Sequence, residues 1–297
     1  MTPTLVRQHT AHADPASRVD PSARARDWSE IQERMLVPLY EAVYDRLEVG
    51  PATRLLGLRC GSGLALLMAA ARGAAVTGVD SSPERLALAR ERLLPGPRPG
   101  AGGARGGRRT GCAARLVGGS PADAAGAQGA GAEGASYTLV TVFEPAAGLV
   151  GDAEGLGELL ATALPLAGRG AAVVLAGWGP PERCATAAVL GVATKLAEPL
   201  RGASRWRPAR RDDLEEVAEQ AGLRPDGSGR VSCPFGYADL DSAVRGLLST
   251  GLFDAAIAAT DARQVDKELT EALHPHRRED GTVWMPNVFR YLIARVP

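Results

Sequence analysis

Residues 55–63, LLGLRCGSG, join a short apolar run to a turn of small residues. Glycine in such a turn lets backbone come close to a ligand, and a turn that follows a strand is where nucleotide-like cofactors are held. Arg59 stands where the turn most wants a glycine. Gly61 and Gly63 alone are a weak signal, since many ordinary turns carry Gly-x-Gly. No Ser-His-Asp set, Walker loop or HExxH motif is present. His274 and His276 lack the acid or cysteine neighbours that a metal site needs, so they read as an exposed helix end and no metal is expected. Cys60, Cys112, Cys184 and Cys233 are scattered, which implies reduced thiols and a cytoplasmic location rather than zinc or a disulfide framework.

Charge narrows the partners. The 34 basic residues balance 34 acidic ones, so nothing draws the whole chain to nucleic acid or to an acidic membrane. The run RGASRWRPARR (201–211) carries five arginines around Trp206. It is the most partner-like surface in the sequence, able to meet a phosphate, a nucleic acid or the acidic face of another protein. Asp212, Asp213, Glu215 and Glu216 follow it directly, which favours a solvated loop. No apolar stretch is long enough to span a bilayer, and the first residues carry no apolar core of a signal peptide.

The elements that position these residues follow from periodicity. Residues 1–24 are polar and broken by proline, and read as a disordered tail before a domain covering 25–297. A helical cover is expected over 25–50, with Pro38 kinking or splitting it. Strands and helices then alternate: strand 53–58, helix 63–73, strand 74–80, helix 82–93 with Ser82 as cap. Residues 95–111, rich in Gly, Pro and Arg, are expected to form a flexible loop. Strands follow at 112–119, 137–143 and 170–178, with a low-complexity stretch at 121–135 and a helix at 154–166 between them. Helices at 181–199 and 212–221, the latter with an Asp212–Glu215 capping box, lead to strands at 229–235 and 288–296. A helical lid, 236–286, separates those last two strands. Such alternation implies an α/β fold, a doubly wound and mostly parallel sheet of seven strands.

From Trp28 onward the chain resembles the class I S-adenosylmethionine-dependent methyltransferases. The resemblance rests on DWSEIQERMLVPLYEAV at the start, VTGVDSSPERLALAR in the middle and NVFRYLIAR near the end. It implies a sheet of order 3-2-1-4-5-7-6 with an antiparallel last strand, a helix over the cofactor, S-adenosylmethionine as cofactor and a small-molecule acceptor. Carried over residue by residue, Asp80 is the acid that grips the ribose diol, and a carboxylate suits that task because it accepts two hydrogen bonds. Its other reading is a cap for the next helix. Gly61 and Gly63 match the later glycines of the loop, with Cys60, Ser81 and Arg59 beside them as further cofactor contacts. Tyr40, Glu144 and Trp178 are candidates for the substrate pocket, although Tyr40 and Tyr44, four apart on the cover, read equally as helix packing.

Four positions depart from the family pattern. Gly57 replaces the acid of the first loop, Arg59 its first glycine, Gly119 the acid that usually holds adenine, and Glu144-Pro145 a segment with aromatics. Two functions follow. One is methyl transfer to a small molecule, which needs alignment more than acid–base help. The other is a binding or regulatory protein that kept the fold and lost the cofactor. Arg59 offers a means of loss, since its guanidinium could pair with Asp80 or Glu144 and fill the hollow.

Overall fold

The central strands form because their apolar residues run without interruption and must be covered on both faces. In a computed structural model, which describes residues 20–94, 114–126, 136–146, 152–197 and 210–297, the chain opens with helix α1 (Pro21–Asp27). A π-helical turn (Trp28–Gln32), a 3-10 turn (Glu33–Leu36) and α2 (Val37–Arg46) continue it. Helix therefore starts inside the stretch expected to be a tail. Asp20 caps it by accepting from the Ser22 N–H at 2.9 Å, and Pro21 sits at its first position. Pro38 falls in the first turn of α2, so the cover is split as its proline requires.

Next come β1 (Arg54–Leu58), α3 (Leu64–Ala71), β2 (Ala75–Asp80), α4 (Pro83–Leu93), β3 (Ala114–Gly118), α5 (Pro121–Gly126) and β4 (Tyr137–Ala146). They are followed by α6 (Asp152–Ala163), β5 (Ala167–Trp178), α7 (Thr186–Ala197), α8 (Asp213–Gln220) and β6 (Arg224–Ser232). The segment after β6 holds β7 (Phe235–Tyr237), α9 (Leu240–Ser249), α10 (Asp254–Ala259), α11 (Ala262–Leu273) and β8 (Val283–Met285). The final element is β9 (Val288–Arg295).

Seven strands pair in the order β3-β2-β1-β4-β5-β9-β6, the expected 3-2-1-4-5-7-6 with β9 as the seventh strand. The pairs from β3 to β5 are parallel, and β9 runs antiparallel to both β5 and β6. Alternate residues feed two cores. Leu55, Val174 and Tyr291 face a core shared with α2, α3, α7, α9 and α11. Leu56, Val173 and Leu292 face the other, with α6 and α8.

Three details differ from expectation. The stretch 229–235 is two strands, because the chain leaves the main sheet after Ser232 and pairs Phe235–Tyr237 with Val283–Met285. β6 itself begins earlier, at Arg224. The capping box at Asp212 does not form: Asp212 makes no side-chain cap, Asp213 instead accepts from the Arg210 N–H at 2.6 Å, and Glu215 pairs with Arg290 at 2.5 Å. The 95–111 loop and most of the 201–211 run lie outside the described residues; Arg210 and Arg211 are exposed at the approach to α8.

Candidate functional site

The carboxyl ends of β1, β2 and β4 meet at the crossover of the sheet, where a doubly wound fold holds ligands. Asp80 ends β2 and is buried. One of its oxygens accepts from the Gly61 N–H and the other from the Ser82 N–H, both at 2.8 Å. It thus ties the β1 turn to the start of α4. Ser82 is the cap of that helix, accepting from Arg85 N at 3.2 Å. Ser81 is exposed at the turn. Gly61 and Gly63 take left-handed φ of 57° and 79°, and Arg59 takes 48°, a conformation that costs a side chain free energy.

Arg59 does not reach Asp80, whose partners are the two backbone donors. Its guanidinium runs toward α6, with Nη2 3.7 Å from where a Cβ on Gly155 would stand. The hollow beside Gly61 is filled by a different residue. The indole of Trp28 lies over the turn, its Nε1 3.0 Å from where a Gly61 Cβ would be. Arg85 stacks on that indole at 4.7 Å and pairs with Glu144 at 3.5 Å.

A buried ionic knot holds Trp28 in place. Glu33 accepts from Ser62 Oγ–H and pairs with Arg92 at 2.6 Å. Arg92 also donates to the carbonyl and hydroxyl oxygens of Ser29 and Ser62. Sequence reasoning missed Trp28's place over Gly61 and the roles of Glu33 and Arg92. The i, i+4 spacing of Ser29 and Glu33 on one helical face, opposite an arginine of α4, was the available signal.

Two adjoining cavities share Trp28, Leu36, Arg59 and Glu144 as walls. The smaller, about 20 Å³, follows the β1 turn from Gly57 to Gly61 and is closed by Tyr40 and Thr141. The larger, about 150 Å³, opens under the Thr250–Leu252 turn and is walled by Trp178, Phe235 and Phe289. Glu144 and Trp178 thus meet in the larger cavity, while Tyr40, Cys60 and Gly61 line the smaller. Tyr40 and Tyr44 both pack on Phe143, with ring centroids at 4.8 and 5.6 Å. Burial raises the pKa of Tyr40, and the neighbouring Glu33 raises it further, so its phenol stays protonated. Burial also raises the Cys60 thiol far above its ordinary range, so it is no nucleophile. Among the described residues no group of His, Cys, Asp and Glu could hold a metal, and no helix is long and apolar enough to cross a membrane.

The chain matches no family model and no curated protein sequence. It is similar to solved structures. A Bacillus halodurans protein provisionally assigned as a methyltransferase superposes with a TM-score of 0.50 at 14% identity, over 87% of this chain and 98% of that one. A cyclopropane synthase of Mycobacterium tuberculosis also gives a TM-score of 0.50, at 13% identity, over 87% of this chain and 84% of that one. The fold is that of the class I methyltransferases. At such identity the likeness extends to architecture, and activity has to be argued from the site.

As arranged, the methyltransferase cleft of this chain does not fit S-adenosylmethionine. Pockets for ligands of that size measure at least about 300 Å³, and the indole of Trp28 leaves about 20 Å³ along the turn. Gly57 has no acid, and a Cβ there would lie 2.8 Å from Leu66 Cδ2, so Leu66 has taken the room. At the adenine end of the methyltransferase cleft, Gly119 offers only its N–H, which donates to the Asp80 carbonyl at 3.0 Å. Asp123 stands close by, however, with a carboxylate oxygen 2.8 Å from where a Gly119 Cβ would be.

Proposed function

We propose that this chain is a small-molecule binding protein built on the methyltransferase fold, and that it does not transfer methyl groups. The observation that carries this is Trp28 seated over Gly61, in the space a nucleoside needs, and pinned there by Arg85 and by the Glu33–Arg92 knot. The cavity left for a ligand is the larger one, beneath the helical segment 236–286, which acts as its lid.

A thermal-shift assay with S-adenosylmethionine and S-adenosylhomocysteine tests this. A ligand at 100 times its Kd stabilises a protein by about 2.7 kcal/mol, which shifts the melting curve visibly. The expected result is no shift with either compound. A saturable shift with the unaltered protein would overturn the reading.

A second reading, methyl transfer to a small molecule, is favoured by Asp123. Its carboxylate supplies near Gly119 the acid that position 119 lacks, and Asp80 and the two left-handed glycines are retained. On this reading S-adenosylmethionine enters when the segment before α2 lifts, and loss of the Asp123 carboxylate (Asp123→Asn) weakens whatever affinity the assay finds.

A further inference from the structure

The larger cavity has a chemical character that the fold does not prescribe. Its floor is aromatic: Trp178 and Phe289 lie 4.6 Å apart between ring centroids, and Phe235 sits 5.9 Å from Phe289. Leu36 and Leu252 complete the apolar wall. At about 150 Å³ the space matches that of an engineered apolar cavity known to take up benzene.

One side chain in that wall has an unused hydrogen-bonding end. Gln32 is 3% exposed, and its Oε1 accepts from the Tyr237 hydroxyl at 3.0 Å. With the tyrosine hydroxyl donating, the amide turns its Nε2 away from Tyr237. It leaves the Nε2 hydrogens without an acceptor among the described residues, on a side chain that lines the cavity. A ligand oxygen placed in the cavity would give that donor a partner. Glu144 and Arg59 line the same cavity, so its charged lining carries both signs.

We propose that this cavity binds a single-ring aromatic molecule carrying a carbonyl-type acceptor, with its ring against Trp178 and Phe289 and its oxygen on the Gln32 amide. This rests on the reading that the chain binds a small molecule under its lid. It does not depend on whether S-adenosylmethionine also binds.

Isothermal titration of the full chain with acetophenone and toluene tests it. Acetophenone is expected to bind saturably and about tenfold tighter than toluene, the gain of a buried hydrogen bond. Gln32→Glu keeps the size and the acceptor for Tyr237 but removes the amide donor, so it should bring acetophenone down to the affinity of toluene. A change in the indole N–H resonances of Trp28 and Trp178 on adding acetophenone would place the ligand independently of heat. Absence of saturable binding by acetophenone in both measurements overturns the proposal, as does unchanged acetophenone preference in Gln32→Glu. A thermal shift with S-adenosylmethionine in the same preparation would count against the non-catalytic reading alone.

Discussion

Glu33 is 2% exposed and its charge is answered by Arg92 and the Ser62 hydroxyl. Removing one partner of a buried pair leaves a charge stranded in low dielectric, which typically costs about 3–5 kcal/mol. Arg72 pairs with Asp45 at a similar distance, 2.9 Å, but Asp45 is 73% exposed, and such pairs contribute below about 1 kcal/mol. Arg92→Ala should therefore lower the urea midpoint far more than Arg72→Ala. Equal losses would show that the knot is not what seals the cleft. Gly57→Asp tests the same region from the other side. It restores the acid of the family pattern, yet its Cβ meets Leu66 at 2.8 Å. The expected outcome is a lower melting temperature and no gain of affinity for S-adenosylmethionine, measured by thermal shift. Asp80 and the two glycines were legible in the sequence because each type is demanded by its place at a strand end. Trp28 was not, because helical spacing says which face a residue is on and not which distant turn that face will meet.

At the scale of elements, two helices of the segment after β6 start on aspartate caps. Asp261 accepts from the Gln264 N–H at 2.8 Å at the start of α11. Asp261→Ala should cost about 1 kcal/mol in chemical denaturation. Asp239 caps α9 in the same manner, and the Ser242 backbone N–H holds its carboxyl below the usual carboxylate range. A folded-state pKa below the unfolded one means that this stabilisation is present at neutral pH. It is lost as pH falls below about 3.9, the ordinary aspartate value. The stability gap between the protein and Asp239→Ala should accordingly narrow between pH 7 and pH 3 in parallel urea titrations. The central strands were plain from their apolar runs. β6 was partly hidden because RPDGSG holds a proline and two glycines, which a strand tolerates only at a sheet edge, and an edge is where β6 lies. The β7–β8 pair went unseen, since three-residue strands carry too short a pattern to read.

For the molecule as a whole, thiol chemistry reports the integrity of the core shared with α2, α3, α7, α9 and α11, which holds Cys233 and has Cys60 packed against it. Burial raises the pKa of Cys184, and pushes that of Cys233 up to about 12, so neither is a thiolate at neutral pH. With Cys60 they should react with a thiol reagent at pH 8 only at the rate of global opening, and quickly in denaturant. Fast labelling of these three in the native protein would mean that the sheet opens locally.

β9 carries a consequence for synthesis. It lies between β5 and β6 and is hydrogen-bonded to both, yet it is made after the whole helical insertion. Until it emerges from the ribosome, two strands must wait with a raw edge each, facing a gap one strand wide. The nascent polypeptide is therefore most prone to stick to its neighbours late in translation, and a premature stop before Val288 should yield aggregate rather than a trimmed domain.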